Sequence, residues 1–168
     1  MITQERRTAL RRTYLSLGVG ELVAAGVFAL IAIGVVAPRF PKADVQLAVW
    51  AALAPLLVVL IEAGIYWLSA RRWVGIGSMP ARLARVYRRL RVATALLLAL
   101  GLGGMLASWP TEPAVAVLVV ATWMFAVVEY VNYFVVRLSY PARRWWSSVV
   151  RWRTPRLMKD VRAGGSTT

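Results

Sequence analysis

Residues 45–72 read VQLAVWAALAPLLVVLIEAGIYWLSARR: twenty-five residues from Val45 to Ser69 carry a single charged group, Glu62, before the pair Arg71-Arg72. Crossing the hydrocarbon core of a bilayer takes about 20 apolar residues at about 1.5 Å of rise each. Only a helix satisfies its own backbone groups in lipid, so this stretch is predicted to be a transmembrane helix. Pro55 lies inside it and is expected to bend it.

Three further stretches have the same character: Tyr14–Val36, Val92–Trp109 and Ala114–Val136. The stretch Val92–Trp109 is the shortest, and its span is open to an earlier start within the basic segment before it. The connections 37–42 and 109–113 are short and contain Pro38, Pro41, Pro110 and Pro113. The reading is therefore an all-α polytopic membrane protein of four helices in two helical hairpins. Residues 1–140 are expected to form the transmembrane domain and residues 141–168 a basic tail. The first apolar run is too long for the h-region of a secretory signal peptide and is expected to be retained.

Charge sets the orientation. Of the 21 Lys and Arg in the 168 residues, 19 lie in the N-terminal arm, the central loop and the C-terminal tail, and two lie in the other connections. The positive-inside rule then places both termini and the central loop in the cytoplasm, with the chain in the cell inner (plasma) membrane. The net charge of +14 and mean hydropathy of +0.62 describe basic blocks between apolar spans, not a soluble basic surface, so nucleic acid is not expected as a partner. The preference for Arg over Lys, 19 to 2, is what a GC-rich bacterial genome produces.

The basic blocks have internal order. Ser78 is positioned to cap a helix starting near Pro80. Met79, Leu83, Val86 and Leu90 fall on one side of it and Arg82, Arg85, Arg88, Arg89 and Arg91 on the other. This is the pattern of an interfacial basic helix running into the third span. In the tail, Trp145, Val149 and Trp152 recur at helical spacing among Arg143, Arg144, Trp146, Arg151 and Arg153. Trp beside Arg is expected at headgroup depth, so these residues are read as contacts to anionic lipid. Residues 163–168 read as disordered.

Three acidic residues fall inside the spans. Glu21 is nine residues past Arg12, Glu62 nine before Arg71 and Glu129 eight before Arg137. Each is therefore about 12–14 Å from the arginine marking its helix end. One level suggests one shared polar site, because intramembrane carboxylates normally face the bundle interior or a watery cavity. Tyr66 and Tyr133 each follow a Glu by four residues, on the same helical face, and Asn132 follows Glu129 by three. Phenols and an amide suit hydrogen bonding to carboxylates. The competing reading is that neutral Glu side chains bond the helices together.

The Glu-x-x-x-Tyr pattern, followed by Arg-Arg-Trp at 71–73 and 143–145, also suggests a duplicated hairpin. Two stripes of small residues, Ser16, Gly20, Ala24 and Ala95, Ala99, Gly103, Ala107, mark faces where helices are expected to pack closely.

The sequence holds no Cys and no His. That removes disulfides, thiol chemistry and the commonest metal ligand and general base, so neither metal nor cofactor is expected. No nucleophile elbow, Walker loop or zincin motif is present, and Gly75–Ser78 reads as a turn before it reads as an anion nest. The expected function is a non-enzymatic accessory or scaffold whose basic cytoplasmic face binds anionic lipid or a protein partner, with association into a homo-oligomer as a further expectation. The alternative is a small proton- or cation-coupled transporter using the intramembrane carboxylates.

Overall fold

The computed structural model describes residues 4–75, 77–135 and 155–165. These residues form five helices and no strand. Helix α1 covers Gln4–Arg39; a π-helical turn at Ala32–Val36 interrupts it, and one more turn, Ala37–Arg39, completes it. Helix α2 is Ala43–Ala70, α3 is Ala81–Ala107, α4 is Pro113–Phe134 and α5 is Arg156–Gly165. The first four are long and apolar enough to cross a membrane.

Helix α2 is the centre of the bundle. In its most apolar stretch 61% of the residues are buried, against 11%, 22% and 17% in α1, α3 and α4. It packs against all three, and its apolar residues stay inside because neighbours surround it. Leu30 on α1, Leu100 on α3 and Val117 on α4 are exposed, as a lipid-facing surface requires. The environments of α2 and α4 therefore differ, although both carry Glu-x-x-x-Tyr.

The core is layered. At the arginine-rich end Tyr14, Tyr66, Met79, Tyr87 and Phe134 pack together. Ala25, Leu56, Leu60, Leu98 and Ala126 fill the middle, and Val45, Ala48, Met105 and Val119 the far end.

Backbones approach closely at glycines. Gly18 and Gly64 face each other where α1 crosses α2, and a Cβ on either would lie within about 3 Å of the other's carbonyl oxygen. Helix α2 runs unbroken through Pro55. Because Pro has no N–H, the Ala51 carbonyl loses its partner four residues on. Gly101 of α3 is pressed against that oxygen, and a Cβ there would sit 2.4 Å from it.

The close-packed faces are thus not the stripes expected from spacing. Ser16, Gly20, Ala99, Gly103 and Ala107 are exposed, and Gly20 and Gly103 have open space where a Cβ would go. The buried positions are Tyr14, Gly18, Ala25 and Ala32 on α1 and Ala84, Tyr87, Thr94, Leu98, Gly101 and Met105 on α3. Repeats of four small residues occur readily in Ala- and Gly-rich spans, and the bulky neighbours Leu22 and Leu68, which cover the glycines, decide the seat.

The basic segment before the third span is helical and continuous with it. It is the first part of α3, which runs without a break from Ala81 to Ala107 and carries exposed Arg82, Arg85, Arg88 and Arg89 at its start. Pro80 occupies the N-cap position, and Ser78 lies outside the helix and caps nothing. Met79 is buried, Leu83 and Leu90 are partly so, and Val86 faces outward. The turn after α2 closes at Gly75, whose φ of 76° suits glycine, and Gly77 N–H donates to Trp73 O at 3.2 Å. At the opposite end, Gln46 Nε2 donates to the Ala37 and Phe40 carbonyls at 3.1 and 2.7 Å, fixing the turn between α1 and α2.

Helix α5 packs against the bundle. Leu157, Met158 and Val161 of α5 are buried on α3 and α4, and residues 163–165, expected to be disordered, are its last turn. The proposed headgroup residues Arg143, Arg144, Trp145, Trp146, Arg151 and Trp152 lie outside the described residues.

Candidate functional site in the membrane interior

The three carboxylates at one depth fall into two separate arrangements. The reason is that Glu62 turns from α2 toward α3, whereas Glu21 and Glu129 lie on α1 and α4.

Glu62 faces α3. It is 7% exposed, and Thr94 Oγ1 donates to its two carboxylate oxygens at 2.9 and 3.1 Å. Tyr87 OH donates to the Glu62 backbone oxygen at 3.3 Å. A carboxylate enclosed in this way, bonded to a neutral hydroxyl on the adjoining helix, ties α2 to α3.

Glu21 and Glu129 meet across the α1–α4 seam. Tyr133 OH on α4 donates to Glu21 Oε1 on α1. Trp67 Nε1 on α2 donates in turn to Tyr133 OH at 3.4 Å, which orients the phenol toward Glu21. Asn132 hydrogen-bonds the side chain of Glu129, and Glu129 lies within electrostatic reach of Glu21. Both carboxylates are half-buried. The site thus comprises Glu21, Glu129, Asn132 and Tyr133, and Trp67 joins it. Trp67 carried no signal in the sequence beyond being aromatic near a helix end.

Tyr66 does not belong to this site. It is fully buried, and its OH donates to Asp160 Oδ2 on α5 at 2.9 Å. Trp73 Nε1 donates to the same oxygen at 3.1 Å. The Arg156 guanidinium stacks over the Tyr14 ring, 5.2 Å from its centroid. Tyr66, Trp73 and Tyr14 therefore form a polar and aromatic socket for α5.

Two further cross-helix bonds are backbone-directed. Trp123 Nε1 donates to Leu98 O at 3.0 Å and Tyr130 OH to Arg91 O at 3.2 Å, joining α4 to α3. Among the described residues no three acidic groups come together as a metal cluster would require.

The arrangement defines a four-helix protein with a paired-carboxylate seam at its edge and a helix docked at its arginine-rich end. Compared with known proteins, the chain matches no family model, no curated protein and no solved structure.

Proposed function

We propose that the chain is a non-enzymatic accessory protein of the cell inner membrane, with two helical hairpins and both termini in the cytoplasm. Its arginine-rich cytoplasmic face holds anionic lipid and, through it or beside it, a membrane partner or a second copy. The observation that carries this reading is the exposure of Arg82, Arg85, Arg88 and Arg89 along the start of α3, just before the apolar part of that helix. Cations placed there sit at the headgroup level, where each contributes about 1 kcal/mol of attraction to an anionic leaflet.

Replacing all four arginines with Gln is expected to lower phosphatidylglycerol retention by the purified protein at least about tenfold. Native mass spectrometry in a mild detergent reads the retained lipid. Retention equal to wild type, with the helical content preserved, counts against the reading.

A second reading, a small proton- or cation-coupled transporter, is favoured by the Glu21–Glu129 pair. Two carboxylates sharing a low-dielectric seam repel, and a proton or small cation taken up between them relieves that repulsion. In liposomes containing a pH-sensitive dye, Glu21→Gln and Glu129→Gln are expected to abolish ion-coupled flux, and Glu62→Gln to leave it. Wild-type vesicles that show no flux with any ion tested remove this second reading.

A further inference from the structure

A cavity of about 240 Å³ lies beside the π-helical turn of α1, in the half of the bundle far from the arginine-rich ends. Ala32 and Phe28 of α1, Leu53 of α2 and Leu118, Val119 and Thr122 of α4 are among its lining residues. We propose that it is a binding site for one acyl chain of a membrane phospholipid, entered sideways from the bilayer through the gap between α1 and α4.

The position comes first. Helices α1 and α4 make their ring contact between Phe28 and Phe125, 6.0 Å apart, at the inner edge of the cavity, and meet again at Glu21 and Tyr133. Beyond Phe28 the two helices stand apart, and the space between them is the cavity. The π turn contributes to the opening: it puts an extra residue into one helical turn, and such insertions recur at functional sites. Ala32 turns inward there with only a methyl group to fill the space.

The chemistry of the lining disfavours polar occupants. The one hydroxyl, on Thr122, donates to Leu118 O of its own helix at 2.8 Å, so it keeps no proton for a polar ligand and leaves a single acceptor in an otherwise apolar lining. Apolar cavities of this kind do not take water, and leaving one empty forfeits the contacts its walls would make. Ile31 and Leu118 line the cavity yet are also exposed, which places its mouth on the lipid-facing surface. An apolar hole open to hydrocarbon is filled by hydrocarbon.

The test uses the full chain in phosphatidylethanolamine and phosphatidylglycerol vesicles doped with a phospholipid bearing a diazirine on one acyl chain. After irradiation, labelled residues are mapped by mass spectrometry. Leu53 and Val119 are nearly inaccessible from outside, at 4% and 1% exposure, whereas Leu100 on α3 is 72% exposed to bulk lipid. Labelling of Leu53 and Val119 comparable to Leu100 is expected. Ala32→Phe inside the cavity and Leu118→Trp at its rim are expected to reduce Leu53 labelling about tenfold and to leave Leu100 unchanged. The rim substitution adds bulk at an exposed position, so it tests the site even where Ala32→Phe impairs folding. Three results overturn the proposal: Leu53 and Val119 unlabelled in wild type, labelling that survives both substitutions, or labelling by a free diazirine fatty acid alone.

Discussion

Gly101→Ala is expected to destabilise the bundle by about 1–3 kcal/mol, whereas Gly103→Ala, two residues along the same helix, should stabilise it by about 0.5–1 kcal/mol. The two changes are chemically identical and differ only in where the new methyl group points. At Gly101 it would lie 2.4 Å from the Ala51 carbonyl oxygen and 3.0 Å from Pro55 Cγ. Neither can yield cheaply: the oxygen belongs to backbone, and the proline ring is fixed within a central helix. Helix α3 must back away, and the Thr94–Glu62 bond and the Trp123–Leu98 bond are loosened with it. At Gly103 nothing lies within 4 Å, so the substitution only removes glycine's helix penalty. Thermal unfolding in one detergent, followed by circular dichroism, reads both. Equal effects of the same sign would show that α3 does not dock on α2 through Gly101.

That pair also marks the boundary of what the sequence makes legible. Long apolar runs bounded by arginines give the number and approximate ends of the four spans, because the thickness of the bilayer and the cost of buried charge act on every residue alike. Which face of each helix turns inward is a different matter. Lipid tails are as apolar as Leu, so no periodicity of polar residues separates inside from outside, and Gly103 reads the same as Gly101. The centrality of α2 has the same cause: Val45–Ser69 is no more apolar than Ala114–Val136, yet one stretch is enclosed and the other is lined with lipid-facing Val117 and Leu118. The carboxylate site was legible in its members and not in its grouping. Depth from the nearest arginine put Glu21, Glu62 and Glu129 on one level, but depth carries no information about rotation around the bundle, and rotation sends Glu62 to Thr94 and the other two to Tyr133 and each other. Tyr66 shows the limit most sharply. It shares a helical face with Glu62, as the i, i+4 spacing requires, yet its partner Asp160 lies 94 residues away in a tail whose composition reads as surface.

Asp160→Ala is expected to release α5 from the bundle and raise the rate of tryptic cleavage at Arg156, Lys159 and Arg162 by about a hundredfold, with the four long helices unaffected. One carboxylate oxygen accepts two hydrogen bonds, from Tyr66 OH and Trp73 Nε1. Bonds of this type contribute about 1.5–3 kcal/mol each, and their loss leaves two donors in an apolar socket without a partner. A ten-residue helix has no independent stability in water, so undocking and melting happen together and trypsin meets an extended chain. Gly164→Val reaches the same end by a different physical route. A Cβ at Gly164 would lie 2.4 Å from the Met79 carbonyl oxygen, so the substitution pushes the last turn of α5 off the α2–α3 connection while leaving the Asp160 side chain in place. Rapid proteolysis in both variants, with unchanged helical content in the fragment that remains, is the expected pattern. Wild-type resistance in both would show that α5 is held by something other than Asp160 and the Met79 contact, and that the aromatic end of the bundle is not its socket.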